Sequence, residues 1–172
     1  MRSALRRAGS IAVVPPTAIG DSLLMMVLVN SLIRNGYRPV VVNWVVDELA
    51  EWFPGVEVHR DHTSLGHFDL VIQLRATDAG KSFAPGGTVC ELVHLPAFIE
   101  PPHMIDKLVA VTQHSFGLSH ITRHNGITLP ARLRFRHHES RVAIHPTGSH
   151  IEKIWPRKKF IALAKKLTQQ GL

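Results

Sequence analysis

An α/β fold on a parallel sheet is the class this sequence predicts, and two observations predict it. Short apolar, mostly β-branched runs recur at Ile11–Val14, 39–45, 56–58 and 68–74. Between them lie helix-compatible stretches closed by Asn35-Gly36 and Pro54-Gly55. Strands apolar at nearly every position are buried on both faces, as in a parallel sheet, and strand–helix alternation supplies the right-handed crossovers such a sheet needs.

The run Ile11–Val14 stops at Pro15-Pro16, and a helix is expected from Ser22 to Ile33. Its start is apolar on every side for two turns, which places it in the interior, and Asn35-Gly36 ends it. Residues 39–45 (Pro-Val-Val-Val-Asn-Trp-Val) read as one buried strand, 47–53 as a short helix, 56–58 as a third strand and 68–74 as a fourth. After Arg75 the signal weakens through Gly80, Pro85 and Gly86-Gly87. A helix is expected over 101–116, and the basic, histidine-rich stretch 120–140 reads as a linker. Arg141-Val-Ala-Ile-His145 reads as a new strand. A helix then opens at Pro156, with Phe160, Leu163, Ala164 and Leu167 at i, i+3, i+4 and i+7 and Gly171 as its cap. The expected domains are 1–119, a linker 120–140, and 141–172 as the incomplete start of a second domain.

Composition narrows the function classes. A chain of 172 residues, 45% hydrophobic, suits one folded domain or one domain plus part of a second, and is not disordered in character. Its single cysteine, Cys90, excludes an intrachain disulfide and sits in an apolar run, where a small buried hydrophobe is the expected role. The net charge of +7 calls for an anionic partner: nucleic acid, a phospholipid surface or a phosphorylated glycolipid. Residues 1–7 have the charge of a signal-peptide start, yet Pro15-Pro16 interrupts the apolar stretch behind them, and the longest apolar run, 23–29, is too short to span a bilayer. A cytoplasmic protein, peripheral at most to the inner membrane, is the expectation.

Two loops at carboxyl ends of expected strands stand out, because open α/β sheets place ligands there. In the acceptor-side loop Ile19-Gly20-Asp21-Ser22, Gly20 admits a close ligand approach and Asp21 offers a carboxylate base, although spacing alone favours Asp21 as a helix cap. In the second loop, Thr147, Gly148, Ser149 and Lys153 suit a diphosphate at a helix N-terminus, or form an ordinary polar loop. Arg75-Ala-Thr-Asp-Ala-Gly-Lys-Ser82 fails as a phosphate loop, lacking a glycine at position 75 and a helix after the serine, and no dinucleotide fingerprint occurs. The 12 histidines, chiefly His59, His62 and His67 or His137-His138 with Glu139, lack metal-site spacing, so no metal is expected. The basic run Arg132, Arg134, Arg136 and Arg141 lacks interleaved aromatics, so nucleic acid is not the expected partner.

Taken together, Ile19-Gly-Asp-Ser-Leu-Leu24, the segment 102–108 leading to Phe116-Gly-Leu118, and Val142–Ser149 with Lys153-Ile-Trp-Pro156 beyond it resemble the bacterial heptosyltransferase family, the family-nine glycosyltransferases that act on lipopolysaccharide. The resemblance implies a GT-B architecture of two Rossmann-like domains. It implies transfer of heptose from ADP-heptose to a phosphorylated lipopolysaccharide inner-core acceptor, with inversion and without a cofactor. Asp21 would be the catalytic base, and Thr147, Ser149 and Lys153 would contact the donor phosphates. The chain matches the family's front half, so this fragment alone is expected to be inactive or a poor enzyme. Its incomplete second domain is expected to dock on the first domain or on a second copy, making a homodimer, or to be mobile and promote aggregation. The alternative is a non-catalytic module that binds an anionic glycan or serves assembly.

Overall fold

The computed structural model describes residues 1–134, 138–148 and 151–172. The chain divides into two compact units, Met1–Pro130 and Ala131–Leu172.

The first unit is a five-stranded, wholly parallel sheet between helices. A short helix α1 (Arg2–Arg7) leads into β1 (Ile11–Val14), α2 (Ile19–Arg34), β2 (Val40–Val42), α3 (Trp44–Asp47) and β3 (Glu57–His59). The chain continues through β4 (Leu70–Gln73), α4 (Asp78–Phe83), β5 (Thr88–Glu91), α5 (Pro96–Ile99) and α6 (Met104–Ala110). Strand order is β3-β2-β1-β4-β5, so the chain winds one way from β1 to β3 and the other way from β4 to β5. In register, Val13 pairs with Val41 and with Ile72.

Alternation along the strands divides two apolar layers. Val13, Leu70 and Ile72 face a layer with α2, where Met25, Met26, Leu28, Val29 and Leu32 are fully or almost fully buried, and Leu5 and Leu108 close it. Ala12, Val42 and Val71 face a thinner layer with Phe68, Phe83 and Ala84. Burial of one such Leu or Met side chain contributes about 1.5–3 kcal/mol, so the α2 layer dominates the stability of this unit. Gly36, at φ +84°, takes the left-handed turn after α2 that most side chains avoid.

Several elements differ from expectation, each for a physical reason. The strand expected over 39–45 ends at Val42 because the Asn43 side chain accepts from the Val45 and Val46 amides and starts α3 there. The expected helix over 101–116 begins at Met104 and passes into π-helical winding at Val111–Ser115. The stretch after Arg75, weak in sequence, holds both α4 and the fifth strand β5. The first part of the expected linker belongs to the first unit. Asn35 Nδ2 donates to the His120 carbonyl at 2.8 Å, Asn30 Nδ2 to that of His124 at 2.9 Å, and the Thr128 amide to that of Trp52 at 2.8 Å.

The second unit contains a single α-helix among its described residues, α7 (Arg157–Gln169), entered through Pro156 and ending before Gly171 at φ +81°. The strand expected at Arg141–His145 is not formed: a strand exists by pairing, and no partner strand occurs in this unit among the described residues. No described residue of 131–172 is buried.

Candidate active site at the carboxyl edge of the sheet

The reversal of winding between β1 and β4 leaves a crevice beyond their carboxyl ends, the place where open parallel sheets take ligands. Two adjoining cavities occupy it, of about 410 and 490 Å³, sharing Val14, Pro15, Pro16, Arg75 and Thr77. Asp21 and Met104 line the first; Trp44, Arg60 and His62 line the second. Another cavity of about 510 Å³ lies at the amino ends of β2 and β3 beside Tyr37, Arg38 and Glu57. The carboxyl-edge pair is the better candidate because loop residues and a free carboxylate converge there.

The loop after β1 is held rigid from two sides. Pro15 and Pro16 have no N–H, so the sheet ladder ends at Val14. The buried Asn43 donates its amide to the Pro15 carbonyl at 3.0 Å and to that of Pro16 at 3.1 Å, while its oxygen caps α3. The buried Ser22 hydroxyl donates to the Pro16 carbonyl and to that of Ala18. Ser22, expected to face a ligand, is thus turned inward as a brace.

Ile19, Gly20 and Asp21 lie in the first turn of α2 rather than in a loop. Ile19 is 61% exposed, and a Cβ on Gly20 would meet nothing within 4 Å, so this turn is open to approach. The capping position is Ala18, three residues before Asp21. Asp21 therefore does not occupy the capping position of the helix. Among the described residues its half-buried carboxylate has no hydrogen-bond or ion-pair partner. Arg75, exposed just past β4, also has no ion-pair partner there and lines both cavities. Arg60 reaches Glu48 at 2.8 Å, which holds its guanidinium pKa above the ordinary value, chiefly through that hydrogen bond.

Sequence reasoning misses Asn43, Trp44, Arg60 and Arg75 as site residues. The signal that finds them is the one that finds Asp21: each of Asn43, Arg60 and Arg75 lies just past a strand's carboxyl end, and Trp44 comes next after Asn43. The Gly80-Lys81-Ser82 run lies inside α4, capped by the Thr77 hydroxyl, and so cannot form a phosphate-cradling loop ahead of a helix. Gly80 serves packing instead, since a Cβ there would fall 2.0 Å from Gln73 Oε1. Among the described residues no group of three or more His, Cys, Asp and Glu could hold a metal ion. Cys90 is buried, and burial pushes its thiol pKa up to about 12, which makes it a poor nucleophile.

The expected donor-side residues belong to the second unit. Gly148 lies against Lys153: a Cβ built on it would stand 3.5 Å from Lys153 Cβ. Thr147 Oγ1 is 3.2 Å from His145 Nε2, Lys153 is exposed, and Ser149 lies outside the described residues. No helix among the described residues is long and apolar enough to cross a membrane. Comparison with known proteins finds no matching family model, no similar curated protein and no similar solved structure.

Proposed function

We propose that the chain carries the acceptor side of a GT-B glycosyltransferase of the heptosyltransferase type, which transfers heptose from ADP-heptose to a phosphorylated lipopolysaccharide inner-core acceptor. The observation that supports this reading is Asp21: a carboxylate without a partner among the described residues, in the first turn of a helix, beside a cavity at the point where strand order reverses. There it would take the proton of the acceptor hydroxyl as the oxygen attacks the sugar carbon from the face opposite the departing ADP. Arg75, on the same cavity, suits an acceptor that bears phosphate. Thr147, Gly148 and Lys153 would meet the donor phosphates.

A second reading, a non-catalytic module for an anionic glycan, is favoured by one observation. The residues assigned to the donor belong to a unit in which no described residue is buried, and stabilising a leaving diphosphate needs a preorganised wall. Calorimetric titration with the deacylated phosphorylated acceptor, together with ADP release from ADP-heptose, separates the two. Saturable acceptor binding that Arg75→Ala weakens about tenfold is expected. Asp21→Asn should leave that binding within about twofold while abolishing any ADP release. Acceptor binding with no release selects the module; release indifferent to Asp21→Asn removes Asp21 as the base; no saturable binding removes both readings.

A further inference from the structure

The second unit exposes an apolar groove that no described residue of that unit covers. Ile144, Pro146, Ile154, Trp155, Phe160 and Ile161 line about 550 Å³ of it. Beside it Ile151 is 82% and Trp155 47% exposed. Helix α7 carries this apolar side with a dense cationic one. Phe160, Leu163, Ala164 and Leu167 fall on one face by helical spacing, while Lys158, Lys165 and Lys166 fall away from it and Arg157 and Lys159 flank it, Arg157 lining the groove and Lys159 Nζ 5.7 Å from the Trp155 ring centre. The helix holds no acidic residue, and among the described residues none of its five cations is in an ion pair.

Charge decides what suits this face. A second copy would bring five cations against five, which opposes self-association through α7. Nucleic acid would satisfy the charges and leave the groove uncovered, since it presents phosphate rather than hydrocarbon. An anionic bilayer surface answers both. Its acyl boundary accepts Phe160, Leu163 and Leu167, its interface accepts the indole of Trp155, and lysine stems reach back along the apolar face to lipid phosphates.

We infer that α7 and the Trp155 groove form a binding surface for anionic phospholipid, lying in the plane of the interface. The mode needs no spanning segment and does not depend on the glycosyltransferase reading.

Co-sedimentation of the whole chain with vesicles tests it. One set is phosphatidylcholine alone; the other contains about one third phosphatidylglycerol. Binding to the anionic set should exceed binding to the neutral set by at least about tenfold and weaken steeply with added salt. Lys158→Glu with Lys165→Glu and Lys166→Glu should reduce it by about a hundredfold. Leu163→Ser should reduce it by about fivefold, whereas an interaction of charge alone would leave it unchanged. Because these positions are exposed, a circular dichroism spectrum like that of the parent checks that the variants fold. Equal binding to both vesicle sets, insensitivity to the lysine changes, or an oligonucleotide that displaces the protein from anionic vesicles at equal charge concentration would overturn the inference.

Discussion

Helices α2 and α7 are both rich in apolar residues, yet they end in opposite environments. Of the 16 residues of α2, eight are buried, including Met25, Leu28 and Leu32; of the 13 of α7, none is. Their sequences already differ in kind. The α2 segment Leu-Leu-Met-Met-Val-Leu-Val is apolar all round, a pattern stable only under cover, whereas α7 interrupts its apolar residues with two lysine pairs. The sheet makes the difference. β1 and β4 offer Val13, Leu70 and Ile72 to α2, while the run at 141–145, without a described neighbour to pair with, offers α7 no sheet face. A helix pattern states which side wants covering, and the fold decides whether cover exists.

The largest expected effect breaks this comparison if it fails. Leu28→Ala should cost about 2–5 kcal/mol in urea unfolding, because the α2 layer is tightly filled and cannot collapse around the space. Leu163→Ala, at a site 36% exposed in the second unit, should cost less than about 0.5 kcal/mol. Comparable losses at the two sites would show that α7 is covered after all. The effect of Asn43→Ala should fall between them, at about 1–3 kcal/mol. The change takes the Asn43 donor from the carbonyls of Pro15 and Pro16, of which Pro16 keeps the Ser22 hydroxyl, and removes the cap of α3 in one step. Asn43→Asp should recover the cap and not the two carbonyl contacts, so its midpoint should lie between those of the parent and the alanine variant.

The same comparison explains what can be read from sequence. The parallel sheet is legible because residues 11–14, 40–42 and 70–72 are apolar on both faces, a signal set by burial and independent of neighbours. β5 is not: Thr88-Val-Cys-Glu lies at the sheet edge with exposed Thr88 and half-buried Glu91, and edge strands lose the continuous apolar run. At 141–145 the local pattern is that of a strand, and the missing ingredient, a partner, is not local. Asp21 is visible as a carboxylate after a strand. That it occupies the first turn and not the capping position depends on helix α2 starting at Ile19, and a shift of three residues is beyond what spacing resolves.

The smallest effect concerns acid. Asp69, at the start of β4, accepts hydrogen bonds from the Ser10 amide at 2.9 Å, the Ser10 hydroxyl at 3.1 Å and the Gly9 amide at 2.8 Å, tying β4 to the entrance of β1. These donors, the Ser10 amide foremost, hold its carboxyl pKa below the ordinary value. The folded state therefore binds this proton less readily than the unfolded chain. The resulting stability is present above the unfolded pKa of about 3.9 and is lost as pH falls through the lower folded value. Asp69 is exposed, so solvent screens the contribution and a modest slope is expected. Thermal midpoints measured from neutral pH down to about pH 2 should fall more steeply in the parent than in Asp69→Asn within the acid window, with the variant less stable at neutral pH. Leu163→Ala should retain the parent's slope, because the contacts responsible lie wholly within the first unit. If Asp69→Asn keeps the full acid slope, other carboxylates carry it, and the tie between the entrances of β1 and β4 contributes through geometry alone.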